Sequence, residues 1–506
     1  MCTLFTHSFR TYSDTYSLGC LKRWSQDPGL LRESKLVVKD FKIAQIILAD
    51  HLKMLEGTIE TIERSLKPFE LGKGIDSLPE EILLLIFEHI SPLYRRTGRL
   101  HLVSTRFRRI ALRLPRVWLI SNAMDNEQCL VDSLTMSKSA DLVVRLHLGE
   151  SDGAYNPDDA KLDLLDVLKF ALPHRERWLD LGIYMSFETG ESIGEDVVEV
   201  LDGMDLNLSN LSLPLLRSLQ IDSAPGREFV ELLNDPDQAF LSNFYETCSL
   251  PNLRQMNISN FIPRPFTDAP ALASVFIELT EDSTSVYDFD ALAEFLASLP
   301  MLEVFHLKMA CFDGSPDDIA PQTLDRLKTL IFEVEIHACK FFMPFRRALL
   351  TPSIEELDFT IQDDTLFPGI DWMTFVLCHD NYPTLKELAI SFGGDSLQEY
   401  TIPFAKTPNL RTLRLDTKPF KVALYPTGTS RGHSLGTLPA LHTIDIHDGN
   451  SSNCYDFLRD INNNLDKQGD FKSLKRVVVR GGYSKYIRSK IEQLFPGRQV
   501  IQWKEV

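Results

Sequence analysis

Membrane-spanning stretches are missing from this sequence: no apolar run approaches the ~20 residues that a transmembrane helix needs. Cysteine is scarce and dispersed. The eight cysteines, at 2, 20, 129, 248, 311, 339, 378 and 454, include no Cys-x-x-Cys pair. Neither a zinc spacing nor a disulfide framework follows from them, and they read as free thiols of a reducing compartment. Positive charge is in deficit, with 53 Lys and Arg against 71 Asp and Glu and a net charge of −18, which argues against nucleic acid as the main partner. Asn-x-Ser matches at Asn207, Asn210, Asn257 and Asn450 carry no weight without a secretory signal. The expected location is the cytoplasm, the nucleus or both.

Catalytic constellations are equally thin. Gly428-Thr429-Ser430-Arg431-Gly432 matches the nucleophile-elbow pattern, with Asp445 and His447 following in a suitable order. An elbow needs a strand before it and a helix after it. Pro426 breaks the strand, and Gly436 and Pro439 prevent the helix, so a surface loop is expected. His433 stands where a phosphate-binding loop requires Lys. His442 and His447 would point to opposite faces of one strand and cannot share a metal. Cys378-His379 has Asp380 beside it but no orienting carboxylate that the sequence places. The expectation is no catalytic residue, no metal and no cofactor.

What is present begins with Ile75 to Trp118. Ser77 and Glu80 have capping-box spacing, and Pro79 suits a first helical turn. The helix then reads EEILLLIFEHI, in which Leu83 to Phe87 are apolar without a break, so it needs partners on more than one side. About thirty further residues are too few to cover it, and the remaining apolar side suggests a protein partner.

This stretch resembles an F-box. The family pattern of Leu-Pro, an acid, Ile-Leu and a later Ile-Phe is matched by Leu78, Pro79, Glu81, Ile82, Leu83, Ile86 and Phe87. After a Ser91-Pro92 break come Val103, Ser104 and Phe107, and then Trp118. The resemblance implies three short helices over 74–120 that dock on the Skp-type adaptor of a cullin–RING ubiquitin ligase. Leu78, Pro79, Ile82, Leu83, Ile86, Phe87, Val103, Ser104, Phe107 and Trp118 are the expected adaptor contacts. The eight arginines at 95, 96, 99, 106, 108, 109, 113 and 116, with no acid between Ser91 and Ile120, suit an acidic partner. A nuclear-import patch or nucleic-acid face is the alternative.

Residues 1–35 are turn-rich and read as a flexible tail. Residues 36–67 form a helix in which Leu48, Leu52, Leu55, Ile59, Ile62 and Leu66 keep a four-three spacing. A homodimer through this seam and a helix folded back on the rest of the chain are both open. Pro68 and Gly72-Lys73-Gly74 end it in a hinge.

Beyond Trp118 a unit recurs, with Leu or an equivalent expected inward at positions one, four and six, usually beside a Pro. Its copies are LPLLRSLQI (213–221), LPNLRQMNI (250–258), LPMLEVFHL (299–307), LDRLKTLIF (324–332), TPSIEELDF (351–359), YPTLKELAI (382–390), TPNLRTLRL (407–415), LPALHTIDI (438–446) and FKSLKRVVV (471–479). ADLVVRLHL (140–148) and RERWLDLGI (175–183) read as weaker copies. Each is a short strand, and segments such as 288–299, 340–350 and 455–465 read as returning helices. One unit cannot bury its own apolar face, so neighbours stack. The pattern resembles a leucine-rich-repeat solenoid without a consistent Asn ladder. The fold class is therefore α/β: an N-terminal helix and an F-box, followed over 121–506 by an irregular solenoid with a parallel sheet. A non-solenoid α/β domain is the alternative.

The outward strand residues would line the recognition face. They are acidic in the middle, at Glu333, Glu356, Asp358 and Glu387, with Arg414 beside them, and basic at the end, at Arg476 and Arg480. A target protein carrying Lys or Arg across the middle copies is expected. The reading that follows is a non-catalytic substrate receptor of an SCF-type ligase, with cullin and RING subunit reached through the adaptor. An F-box protein acting with the adaptor alone, outside ubiquitin transfer, is the alternative, and a hydrolase using Ser430 is a remote third.

Overall fold

A computed structural model describes residues 42, 53, 78–90, 103–111, 113, 119–121, 127–149, 164–186, 195–223, 241–279, 287–310, 319–335, 339–362, 373, 376–379, 381–392, 400–417, 422–423, 438–447, 452–468, 473–481, 485–495 and 501–504. The 1–35 tail, the heptad seam of 36–67, the hinge, Ser77, Ser91, Pro92, Arg95, Arg96, Arg99, Arg116, Trp118 and the loop around Ser430 lie outside them. The chain divides into two compact units, 1–83 and 84–506. In the first, Leu78 and Pro79 precede a helix that starts at Glu80.

The second unit is mixed α/β. Its strands are β1 (Leu119–Ser121), β2 (Leu142–Gly149), β3 (Trp178–Ser186), β4 (Ser218–Ser223), β5 (Gln255–Ser259), β6 (Ser274–Leu279), β7 (Val304–Met309), β8 (Gln322–Thr323) and β9 (Thr329–Glu335). They continue as β10 (Leu349–Leu350), β11 (Glu356–Gln362), β12 (Glu387–Phe392), β13 (Tyr400–Thr401), β14 (Thr412–Thr417), β15 (Val422–Ala423), β16 (Thr443–His447), β17 (Arg476–Arg480) and β18 (Ile501–Lys504). Fourteen of them form one sheet, β1-β2-β3-β4-β5-β6-β7-β9-β11-β12-β14-β16-β17-β18, in which strands follow chain order. Every pair in it is parallel. The remaining four short strands pair as β8 with β10 and β13 with β15. Between the main strands stand helices such as Glu195–Leu208, Phe289–Ala297, Cys339–Ala348 and Ser452–Gln468. Asp288 caps the second of these by accepting the Ala291 N–H at 3.0 Å. Among the described residues, no helix is long and apolar enough to cross a membrane, and no group of three or more His, Cys, Asp or Glu is placed to hold a metal.

Burial corrects the spacing of the repeating unit. The inward positions are one, four, seven and nine, as in Leu213, Leu216, Leu219 and Ile221 or Leu438, Leu441, Ile444 and Ile446. The physical reason is a turn. The position-four N–H donates back to the position-one carbonyl at 3.1–3.4 Å in the copies from Leu213 to Thr407. That closes a β-turn whose second residue is where Pro is preorganised. The strand starts only after it, so alternation begins at position six, which faces outward. A copy not seen in the sequence starts at Ala269: Ala269, Leu272, Val275 and Ile277 are buried, and β6 fills the long gap between the copies at Leu250 and Leu299. The two weaker copies are indeed strands, β2 and β3.

Copies are joined by a backbone ladder. From Arg217 to His442, each position-five carbonyl accepts the N–H groups of positions five and six of the next copy, at 2.7–3.0 Å. Main-chain groups thus do the work expected of laddering Asn side chains, and satisfy turns that would otherwise be left open. Asn252 and Asn409 still donate to Pro214 and Pro383 carbonyls at 2.7 Å. Behind the sheet a single apolar cluster runs from Ile120 to Phe495. Phe305, Phe332 and Phe359, on three neighbouring strands, stack edge-to-face within it at 6.2 and 5.9 Å.

Candidate functional site

The first candidate surface is the helix Glu80–Ile90 with the short helix Thr105–Ala111. Leu83 N–H donates to the Pro79 carbonyl at 3.1 Å. Pro79 therefore occupies the cap position itself, one place earlier than its expected seat in the first turn. Glu80 and Glu81 then lie in the first turn, where the helix dipole favours acids. Ser104 caps the second helix, its Oγ accepting the Phe107 N–H at 3.1 Å. That is the physical content of the Val-Ser-x-x-Phe pattern.

Nine of the ten residues expected at the adaptor are described, Trp118 lying outside, and the nine divide by burial. Leu83, Phe87 and Phe107 are buried, and the Phe87 and Phe107 rings meet edge-to-face at 5.0 Å. These three are not surface. Pro79, Ile82 and Val103 are exposed, and Leu78, Ile86 and Ser104 are half-buried. Leu85, 54% exposed, was not expected at the contact and is more open than Ile82 at 43%. Only the fold reveals this, because all five residues from Leu83 to Phe87 are apolar alike. Arg108, Arg109 and Arg113 are exposed nearby in sequence.

The second candidate surface is the outward face of the parallel sheet. Parallel sheets are usually covered on both faces by apolar residues. Here positions six, eight and ten alternate with the buried ones and are mostly polar and half-exposed. Val478 is an exception and is buried. Strand register brings the expected residues together: Glu356 lies between Thr329 and Glu387, Asp358 between Ile331 and Ala389, and Glu333 beside Thr360. Four acids thus share three adjacent strands. Glu356 and Glu387 are direct cross-strand neighbours of like charge, an arrangement that costs stability.

Cross-strand contacts engage part of this face. His306 Nε2 lies 3.0 Å from Glu333, Arg414 donates to Glu387 at 3.3 Å, and Thr329 Oγ1 donates to Glu356 at 3.3 Å. Lys308 pairs with Glu278. Asp358 has neither an ion pair nor a hydrogen-bond donor among the described residues. Burial pushes its carboxyl pKa up, helped by Glu356 and Glu333 and opposed by Arg414 and His306. At the basic end, Arg480 grips Asp445 through two bonds at 3.1 and 2.6 Å, while Arg476 is exposed on the same strand. Asp416 meets His447 at 2.9 Å. Asp445 and His447 are thus engaged with other strands and not with each other. At the other end Arg145 makes a bidentate pair with Asp180 at 2.8 and 3.1 Å. It lies over Gly182, where a Cβ would come within 2.7 Å of its Cδ.

Residues 75–119 match the family model of the F-box-like domain. That stretch of the chain is an F-box, and the match spans the segment from just before Leu78 to just past Trp118. No curated protein matches the chain.

Proposed function

We propose that this chain is the substrate-recognition subunit of an SCF-type ubiquitin ligase. The F-box would dock the Skp-type adaptor, which brings the cullin and RING subunit, and the sheet unit would hold the target protein. The observation that carries this reading is an F-box whose leading helix leaves Ile82 and Leu85 exposed. Apolar side chains presented together on one short helix suit a protein groove. A subunit of this kind works by proximity and orientation and contributes no bond chemistry. The cytoplasm and nucleus are the compartments this role requires.

We further read the sheet as a leucine-rich-repeat-like solenoid, because copies of one unit stand on successive strands with one backbone ladder. Its outward face is the proposed target site, centred on Asp358 and Glu356 with Glu333 and Glu387, and the proposed ligand is a basic segment of a protein. Arg414 and Arg480, already paired, would shape its edges, and Arg476 would lie at one end. The seam in 36–67 is a proposed homodimer contact. Affinity purification of the full chain tests the main reading: adaptor, cullin and RING subunit are expected together. Recovery of adaptor without cullin would favour a role outside ubiquitin transfer.

A further inference from the structure

Large apolar side chains on the outward face of the sheet are confined to one place. On the main sheet from β4 to β16, the described outward residues include three of them: Phe276 on β6, Val304 on β7 and Ile331 on β9. All three are half-buried, and their strands are neighbours. On the β5 side the residue next to Phe276 is polar, Asn257.

Strand register joins this apolar strip to the acids. Phe276 lies beside His306, His306 beside Ile331 and Ile331 beside Asp358, so the four make one row across β6, β7, β9 and β11. The His306 ring meets Phe276 edge-to-face at 4.6 Å, and its Nε2 lies 3.0 Å from Glu333. The ring is thus held from two sides and closes the floor between Phe276 and Ile331. Val304 is two residues before His306 on the same strand and faces the same way. The strip is three strands wide and stops at a carboxylate. The row neighbours of Asp358, Ile331 and Ala389, offer it no side-chain donor. Past Ala389 the row reaches Arg414, which repels a second cation.

Half-buried apolar side chains on an otherwise polar face gain from being covered. The acid at the end of the strip sets the charge of what covers them. Strands lie roughly 4.8 Å apart, so His306 and Asp358, two strands apart, are separated by about 10 Å. An extended chain places side chains of one side roughly 6.7 Å apart. The remaining distance of about 3 Å lies within reach of the long stem of Lys or Arg.

We propose that this strip recognises an extended protein segment in which a bulky apolar residue stands two positions from a Lys or Arg. The proposal rests on the reading of the outward face as the target site and names what that site takes. The apolar side chain lies over Phe276, Val304 and Ile331, and the cation meets Asp358, with Glu333 diagonal to it. Arg414 fixes the register by excluding a cation further along the row.

The test is selection of random nonapeptides, displayed on phage, against the full wild-type chain at low salt. Enrichment of Lys or Arg two positions from Leu, Ile, Phe, Tyr or Trp is the expected result. Enrichment of basic residues with no apolar partner at that spacing overturns the strip and leaves the acidic target face standing. Enrichment without basic residues, or none at all, overturns both. A synthetic peptide of the enriched sequence is then titrated by fluorescence anisotropy. Ile331→Thr, which keeps a β-branched residue on the strand, is expected to weaken binding about tenfold at low salt and at ~1 M salt alike. Asp358→Asn is expected to weaken it about tenfold at low salt and little at ~1 M, where a charge contact is screened. Phe276→Thr takes the place of Ile331→Thr where that variant does not fold. Affinity that responds to Asp358→Asn alone removes the apolar strip, and affinity unchanged in every variant places the peptide elsewhere and overturns the proposal.

Discussion

Asp358 stands in register between Ile331 and Ala389, on a strand flanked by other acids. Its raised pKa means that the folded chain holds the proton more tightly than the unfolded one. Ionised at neutral pH, the carboxylate costs stability, and protonation relieves that cost as pH falls through the folded value. Asp358→Asn should therefore raise stability at pH 7 by roughly 0.5–1 kcal/mol. The gain should vanish once pH drops below the ordinary aspartate value of about 3.9. Urea unfolding at the two pH values measures both. The sequence already singled out Asp358, Glu356, Glu333 and Glu387, because alternation alone puts them on one face. It could not show that Glu387 is held by Arg414, or Glu333 by His306, since those pairs depend on which strands are neighbours.

At the scale of elements, apolar runs conceal which side is buried. In the helix Glu80–Ile90, Leu83 and Phe87 are buried, while Ile82 and Leu85 are exposed. Two variants separate the roles. Ile82→Ala with Leu85→Ala should weaken adaptor binding by about 10–100-fold, about 1.4–2.8 kcal/mol, with circular dichroism unchanged. Phe87→Ala should instead destabilise the fold by about 3–5 kcal/mol, because a buried aromatic leaves a cavity. Equal binding by the double variant would move the docking surface elsewhere. The repeating strands were legible because Leu, Ile and Phe recur beside a Pro turn. The copy at Ala269 escaped because a small residue fills position one. The edge strands β1 and β18 lack the turn signature altogether. The counting of inward positions failed for a related reason: the β-turn delays the start of alternation, and a turn's length is a property of backbone hydrogen bonds that residue types only suggest.

For the whole molecule, the proposed target face and the proposed docking helix should act independently. Charge reversal by Glu356→Lys with Asp358→Lys should weaken capture of the target by about tenfold or more, and more steeply at low ionic strength, where charge attraction is least screened. Adaptor binding should be untouched. Pull-down of both partners from one preparation, with salt varied, reads the two effects separately. Capture that ignores the reversal would place the target elsewhere on the chain. An α/β chain with a parallel sheet was foreseen, yet the feature that joins its strands was not. The position-five carbonyls form their ladder with whatever side chain is attached, from Arg217 to His442, so no residue type marks it.

That ladder has a consequence for how the protein is made. Strand order in the main sheet follows chain order from β1 to β18. Each strand needs only its predecessor as a template. During synthesis, a strand leaving the ribosome finds its partner already in place, and nothing still untranslated is required to receive it. Assembly can proceed by addition at one growing edge, each new copy satisfying the open amides and carbonyls of the last. A stalled or truncated chain would therefore carry a folded stub ending in a bare strand edge, and that edge is where chaperones would be needed.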